Sequence, residues 1–247
     1  MNEDHSLEER NTLVVGGGSG MGAAVALTLA NAGAQVAVAG RRADKLQEVA
    51  EQAPENSPIL PHPVDVSDRQ SLGDLFDWFE SHFGKLDVLV NAAGINIPKR
   101  TMAELSPEDW DKVLKINLTG AYDCLRLGLE RMRPNKDGLV VMINSVSGKR
   151  SNPLGGVAYN ASKFGMAALG SCVAEEEGGN GIRITNVFPG EVNTPILDQR
   201  PEPPSVEHRA GILQPGDIAE AVLMLAKLHP RAHVPELVIK PTSQSYF

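Results

Sequence analysis

The chain alternates short runs of apolar, largely β-branched residues with helix-length amphipathic segments, and this order constrains its fold most. Near-continuously apolar strands that alternate with helices indicate a parallel sheet covered by helices on both faces. The sequence therefore predicts an α/β fold with a doubly wound parallel sheet of about seven strands. The predicted strands cover 12–17, 35–40, 59–66, 86–94, 138–148, 182–190 and 235–241, and the helices cover 21–33, 43–52, 68–84, 107–132, 158–178 and 215–228.

A length of 247 residues is compatible with one α/β domain, and no internal repeat or low-complexity linker marks a second. Residues 1–10 are predicted to be a polar tail and 11–247 a single domain. A proline-rich stretch at 194–205 interrupts the alternation of strands and helices. We expect the segment around it, 191–212, to be a substrate loop or lid.

Composition excludes several classes of function. A net charge of -8 argues against a nucleic-acid or anionic-membrane partner. The chain lacks a basic, apolar leader and any apolar run near the ~20 residues that span a bilayer, so we expect a cytoplasmic protein. The histidines are scattered without ligand spacing, which predicts no metal site. Cys124 and Cys172 are expected to be reduced thiols in the core.

A glycine-rich stretch, "VVGGGSGMGAA", follows the first predicted strand and opens the first helix. Small residues there bring the backbone close to a ligand, and N–H groups at a helix start can meet a pyrophosphate. A flexible turn that binds nothing is the alternative, but the strand–loop–helix context favours dinucleotide binding. The predicted contacts are Gly16, Gly18, Ser19, Gly20, Met21 and Gly22.

The end of the second predicted strand is where a dinucleotide's ribose 2′ position would be recognised. A carboxylate there favours NAD, because it accepts from the 2′-hydroxyl. Arg41 and Arg42 stand there instead, and their guanidinium groups suit a 2′-phosphate. The sequence thus favours NADP(H) over NAD(H), with a solvated helix start as the alternative.

Tyr159 and Lys163 stand four residues apart and share one face of a predicted helix. An ammonium beside a phenol favours the phenolate and lowers a phenol pKa of about 10 towards neutrality. Such a phenol can give a proton to a carbonyl oxygen and take it back. The pair alone could arise by chance, but Ser145, in predicted strand 138–148, adds a hydroxyl able to hold the substrate oxygen.

Six motifs occur in the order known from one family: "VGGGSGMG", "NAAG", "NLTGAY", "INSVSG", "YNASK" and "FPGEVNTP". The chain resembles the shorter, single-domain branch of the short-chain dehydrogenase/reductase family, with Val15 in place of the usual threonine. The resemblance implies a Rossmann fold, a small-molecule carbonyl or alcohol substrate and a homodimer or homotetramer.

The resemblance also implies site residues. Ser145, Tyr159 and Lys163 would be catalytic, and Asn117 would anchor a water relay to Lys163, unless it only bonds to neighbouring backbone. Asp65 would contact the adenine amine, with helix capping as the alternative, a role for which Ser67 is better placed. The further cofactor contacts implied, besides those of the glycine loop and the two arginines, are Asp65, Val66, Asn91, Ala92, Ala93, Gly94, Tyr159, Lys163, Pro189, Gly190, Val192 and Thr194.

The C-terminal sequence "PELVIKPTSQSYF" lacks the family's more common glycine-rich ending. It is similar to the P-T-x-Q ending of a subgroup that includes 3-hydroxy-acid and clavulanate-type alcohol dehydrogenases. The resulting prediction is an NADP(H)-dependent oxidoreductase that interconverts a carbonyl and a secondary alcohol on a small polar hydroxy or oxo compound. A 3-oxoacyl-thioester reductase of the same family and a non-catalytic NADP(H)-binding sensor or scaffold remain as alternatives.

Overall fold

The computed structural model describes residues 7–245 and contains one parallel sheet in the order β3-β2-β1-β4-β5-β6-β7. This confirms the predicted seven-stranded parallel sheet, and β3, whose prolines suit an edge, is an edge strand. The strands are Asn11–Val15 (β1), Gln35–Gly40 (β2), Ile59–Pro63 (β3), Val88–Asn91 (β4), Gly138–Ile143 (β5), Ile182–Pro189 (β6) and Glu236–Ile239 (β7).

Helices connect the strands and cover both faces of the sheet. The α-helices are Gly20–Asn31 (α1), Ala43–Ala50 (α2), Arg69–Phe83 (α3), Pro107–Leu114 (α4), Gly120–Met132 (α5), Val157–Glu177 (α6), Val206–Ala210 (α7) and Pro215–Lys227 (α8). None of the helices within residues 7–245 has the length and apolarity needed to cross a membrane.

Alternate residues of each strand enter different cores. Leu13 and Val15 of β1 face the core formed with α3, α5 and α6, whereas Val14 faces the core formed with α1, α2 and α8. Both sets of side chains are fully buried, as the apolar strand sequences require in a sheet covered on both faces.

The predicted helix 107–132 is wrong as one continuous element. A π-helical segment at Lys115–Thr119 separates α4 from α5, and it contains Asn117. The Asn117 side chain bonds to Ile95 across the site, so a tertiary contact lies where the helix widens.

Two further local expectations are wrong. The side chain that caps α3 is Asp68, which accepts from the Gln70 N–H at 2.9 Å, rather than Ser67. Cys124 is buried as expected, but Cys172 lies on the exposed face of α6 and bonds to Glu176.

The predicted polar tail lies partly outside the described residues, which begin at Leu7. Leu7 is buried in the core, and Arg10 forms an ion pair with Asp137 at 2.7 Å. Leu7 and Arg10 therefore hold the end of the predicted tail on the domain, while Glu8 and Glu9 between them are exposed.

The segment predicted as a lid contains a 3-10 turn at Pro195–Gln199 and the short helix α7. Its ends are held together by Glu191, which pairs with Arg200 at 2.5 Å and with His208 at 2.9 Å. These contacts tie the segment to Glu191, two residues after the end of β6.

Candidate active site

A cavity of about 750 Å³ opens at the carboxyl edge of the sheet, where the strand order reverses between β1 and β4. Ligands of α/β sheets bind at such a position. The predicted residues that line it are Gly16, Gly18, Ser19, Gly20, Met21, Gly22, Arg41, Arg42, Val66, Ala92, Ala93, Gly94, Tyr159, Lys163 and Thr194. The predicted residues outside its lining are Asp65, Asn91, Asn117, Ser145, Pro189, Gly190 and Val192.

The loop between β1 and α1 brings bare backbone to the cavity. Gly16 has a φ of 86°, and a Cβ atom on it would lie 2.5 Å from the Ala93 nitrogen. A Cβ atom on Gly22 would lie 2.2 Å from the Gly16 carbonyl oxygen, so the first turn of α1 packs directly on the loop. The first-turn N–H groups of α1 lack partners within the helix and suit an anionic group.

The end of β2 contributes both predicted arginines to the cavity wall. Arg42 donates to the Ser19 hydroxyl at 3.0 Å, which joins the β2 end to the glycine loop. The Arg42 guanidinium therefore lies at the same end of the cavity as the N-terminus of α1.

Ser145, Tyr159 and Lys163 meet where β5 and α6 approach each other. Ser145 follows β5, and its hydroxyl is within hydrogen-bonding reach of the Tyr159 phenol. The Lys163 Nζ lies 5.8 Å from the centroid of the Tyr159 ring and donates to the Ile143 carbonyl oxygen at 3.0 Å. The i,i+4 spacing on α6 thus brings phenol and ammonium to one place, as predicted.

Burial dominates the titration of both groups. It raises the pKa of Tyr159, while the hydrogen bond with Ser145 and the charge of Arg100 lower it. Burial also lowers the pKa of Lys163 to about 8. The expectation that Lys163 depresses the phenol pKa is not met here, because burial outweighs the effects that lower it, and the Lys163 ammonium donates to the Ile143 carbonyl.

Asn117 is fully buried and holds the loop after β4. Its Oδ1 accepts from the Ile95 N–H at 2.8 Å, and its Nδ2 donates to the Ile95 carbonyl at 2.9 Å and to the Ser162 hydroxyl at 3.1 Å. A Cβ atom on Gly94 would lie within 4 Å of both Asn117 Oδ1 and Lys163 Nζ. The structure therefore places Asn117 close to Lys163, although it does not line the cavity.

Asn91 and Asp65 lie behind the cavity wall. Asn91 is buried at the end of β4, where its Oδ1 accepts from the Ala93 N–H at 3.3 Å. Asp65 accepts from the Ser67 N–H and hydroxyl, and these bonds lower its pKa. Asp65 thus serves a local turn, and its two neighbours Val64 and Val66 line the cavity.

The segment after β6 contributes Thr194. A Cβ atom on Gly20 would lie 3.2 Å from the Thr194 side chain, whose buried hydroxyl has no hydrogen-bond partner among residues 7–245. Pro189 and Val192 are buried outside the cavity lining, and Gly190 packs against Gln244.

Sequence reasoning did not single out six further polar residues of the cavity wall, which are Asn96, Lys99, Asp109, Lys112, Asn144 and Gln199. Asn144 is buried, and neither of its side-chain atoms has a partner among residues 7–245. Its place directly before Ser145 could have marked it. Gln244, the glutamine of the P-T-x-Q ending, was also missed. Its side chain accepts from the Glu191 N–H at 2.9 Å and so ties the C-terminal sequence to the lid segment.

These groups fit a nicotinamide dinucleotide. The open first turn of α1 and the two arginines suit phosphates. The unpartnered Thr194 hydroxyl and the buried Lys163 ammonium supply further donors to the same cavity. Among residues 7–245, no group of three or more His, Cys, Asp or Glu side chains could hold a metal ion.

A parallel sheet with a glycine loop after β1 and a serine, tyrosine and lysine at its carboxyl edge defines an α/β oxidoreductase that binds a dinucleotide. A sequence model of the family described as short chain dehydrogenase matches residues 10–204. The chain therefore belongs to the short-chain dehydrogenase/reductase family, an enzyme family that acts on CH–OH groups, which confirms the resemblance.

Individual relatives cover nearly the whole chain. A farnesol dehydrogenase of Aedes aegypti is 34% identical over 241 residues, covering 95% of this chain and 96% of the relative. An alcohol dehydrogenase from Thermococcus sibiricus complexed with 5-hydroxy-NADP superposes with a TM-score of 0.85 at 29% identity, covering 96% of this chain and 98% of that one. The closed form of a serine dehydrogenase complexed with NADP+ has a TM-score of 0.88 at 25% identity and covers 96% of each chain.

Proposed function

We propose that the chain is an NADP(H)-dependent oxidoreductase that interconverts a carbonyl and a secondary alcohol at Tyr159. The observation that carries the proposal is the meeting of Ser145, Tyr159 and Lys163 beside a cavity that also contains the glycine loop. A nicotinamide dinucleotide bound there supplies or accepts the hydride.

Each side chain has a separate task in this proposal. Tyr159 donates a proton to the carbonyl oxygen during reduction and takes it back during oxidation. Ser145, within reach of the phenol, orients the substrate oxygen and stabilises the charge that develops on it. Lys163 provides a buried ammonium 5.8 Å from the centroid of the Tyr159 ring, and Asn117 holds Ile95 and Ser162 in place.

The preference for NADP(H) rests on Arg41 and Arg42. Both line the cavity, and Arg42 bonds to Ser19 of the glycine loop, where guanidinium groups suit a 2′-phosphate. The NADP complexes of the two structural neighbours support the same cofactor.

The substrate proposed is a small polar hydroxy or oxo compound. Asn96, Asn144 and Gln199 are polar residues of the cavity wall, which Tyr159 also lines. A second candidate, an apolar long-chain alcohol, is favoured by Ile97 and Ile196 in the same wall and by the farnesol dehydrogenase among the relatives.

The mechanism is tested by NADPH oxidation over a carbonyl panel that contains oxo acids, farnesal and a 3-oxoacyl thioester. Tyr159→Phe is expected to lower kcat by about 10² to 10⁴-fold, because it removes the proton donor. Tyr122→Phe, at an exposed tyrosine on α5, serves as the matched control. Equal rates for wild type and Tyr159→Phe contradict the mechanism, and tight NADPH binding without turnover of any carbonyl favours the sensor or scaffold.

The cofactor preference is tested by the Kd values of NADPH and NADH. Arg41→Ala and Arg42→Ala are each expected to weaken NADPH binding about ten-fold, the loss of one charge-assisted contact, and to leave NADH binding unchanged. Arg126→Ala, on α5 and away from the cavity, is the control. Wild-type protein that binds both cofactors equally contradicts the preference.

A further inference from the structure

A buried arginine lies directly behind the cavity wall. Arg100 follows Lys99, which lines the cavity, and its own side chain is only 4% exposed. No carboxylate among residues 7–245 forms an ion pair with it; the charged or titratable groups that face it are Arg200 and Tyr159. Burying a guanidinium without an acidic partner is costly, so its place here calls for a function beyond stability.

The guanidinium joins three separate loops. Its Nε donates to the Ile97 carbonyl at 2.8 Å, and its Nη1 donates to the Leu154 carbonyl at 2.9 Å. Its Nη2 donates to the Gln199 carbonyl. These acceptors belong to the loop after β4, the loop before α6 and the lid segment, and only a planar fork of donors can reach all three.

The backbone of Arg100 meets the start of the helix that carries Tyr159. Its carbonyl accepts from the Val157 N–H at 3.1 Å, at the first residue of α6. Gly156 has a φ of 80°, and a Cβ atom there would lie 2.5 Å from the Arg100 Cβ. Arg100 therefore packs against α6 two residues before the phenol.

We propose that Arg100 is a positioning residue that clasps the three loops around Tyr159 and keeps a fixed positive charge near the phenol. The inference rests on the proposed function, in which Tyr159 exchanges the proton. The charge opposes the effect of burial on the phenol pKa. The other charged groups nearby are Lys163 on α6, whose Nζ lies 5.8 Å from the centroid of the Tyr159 ring, and Arg200 of the lid segment, which is paired with Glu191.

Hydrogen–deuterium exchange tests the clasp without any measurement of activity. Arg100→Lys keeps the charge but loses the fork, so exchange is expected to rise at least several-fold in 95–100, 152–157 and 195–200. Arg183→Lys is the matched control, because Arg183 is also buried and bonds to carbonyls but lies at the amino end of β6. Unchanged exchange in the three loops of Arg100→Lys, or an equal rise there in Arg183→Lys, overturns the clasp.

The pH profile of carbonyl reduction tests the charge. Reduction needs the protonated phenol, so the fall of the reduction rate at alkaline pH follows the Tyr159 pKa. We call this fall the alkaline limb of the pH profile. In Arg100→Gln the limb is expected to move to higher pH, because a positive charge that lowers this pKa is lost, while Arg100→Lys keeps the limb near its wild-type position. We expect kcat to fall in both variants, on the order of 10²-fold, through misplacement of the phenol. A limb that stays in place in Arg100→Gln overturns the charge effect.

The two measurements separate this inference from the proposed function. If wild-type protein reduces no carbonyl, the proposed function fails, and the exchange data alone support or overturn the clasp. If wild type is active and Arg100→Lys loosens all three loops without lowering kcat, the positioning role is overturned. Thermal unfolding verifies that each variant is folded. If Arg100→Gln does not fold, the positioning role is tested with Arg100→Lys alone.

Discussion

At the scale of single residues, burial favours the neutral form of both titratable groups in the site. It raises the pKa of the Tyr159 phenol and lowers that of the Lys163 ammonium to about 8. A protonated phenol is the form that donates to a carbonyl, so the environment found here suits reduction. The buried Lys163 ammonium, in contrast, destabilises the folded protein at neutral pH, because its charge is removed from water.

Replacing Lys163 with methionine should therefore stabilise the fold. The pKa of Lys163 is about 8 in the folded protein, below the ordinary value of 10.5, so unfolding takes up a proton between these pH values. The free energy of unfolding then rises with pH across this window. At pH 7 we expect Lys163→Met to be more stable than wild type by up to about 3 kcal/mol, and this advantage to shrink towards pH 10.5.

Urea unfolding at both pH values measures this difference. Lys227→Met, at an exposed lysine at the end of α8, is the control and should show no such dependence. If Lys163→Met is no more stable than wild type, or is more stable by the same amount at both pH values, the lowered pKa of Lys163 is contradicted.

The local sequence predicts which residues form the site, but it does not predict the shifts in their pKa values. The spacing of Tyr159 and Lys163 on one helix was enough to predict that they meet. The direction in which the phenol pKa is shifted depends on burial and on Arg100. The three carbonyl partners of Arg100 are up to 99 residues away in sequence. Such a contact exists only after the sheet has formed, and no periodicity encodes it.

At the scale of elements, the predicted strands and helices are present, and the differences lie at ends and breaks. The strand predicted over 138–148 ends at Ile143, because Asn144 and Ser145 turn away into the site. The break between α4 and α5 could not be read from the sequence, since Asn117 bonds to a loop that is distant along the chain.

Substitution by alanine at two helical glycines should change the free energy of unfolding in opposite directions. A Cβ atom on Gly73 of α3 would meet nothing within 4 Å, so Gly73→Ala should stabilise by about 0.5–1 kcal/mol. A Cβ atom on Gly170 of α6 would lie 2.5 Å from the Asn186 Nδ2, so Gly170→Ala should destabilise by about 1–3 kcal/mol.

Because α6 carries Tyr159 and Lys163, Gly170→Ala should also lower turnover, whereas Gly73→Ala should leave it unchanged. Chemical denaturation and NADPH oxidation by the two variants measure both effects. A Gly170→Ala protein as stable as wild type would show that α6 can move away from β6 without cost.

At the scale of the whole molecule, the parallel sheet brings the loops after β1, β4 and β5 to one edge. The strand pattern predicted this, because all strands of a parallel sheet end on the same side. It did not predict the neighbour order β1-β4-β5, which depends on how the helices pack. The position of the cavity follows from that order.

The exposed face of α6 predicts self-association, since the homodimer or homotetramer inferred from the family needs an apolar surface. Val157, Ala161, Phe164 and Ala168 are all exposed at helical spacing, and Tyr122 on neighbouring α5 is 45% exposed. We expect this apolar stripe to form an interface, because a two-fold axis lets the same stripe pack on itself. We expect wild-type protein to sediment as a dimer or tetramer across the micromolar range.

Phe164→Glu should shift the sedimentation profile to a smaller species, because it places two like charges across the two-fold axis. Met224→Glu, at a similarly exposed methionine on α8, tests whether a second surface contributes, as a tetramer requires. If only Phe164→Glu dissociates the protein, the assembly is a dimer through α6. Since α6 carries Tyr159, dissociation should also lower NADPH oxidation. Wild-type protein that sediments as a monomer contradicts the prediction and assigns the exposed stripe no role in assembly.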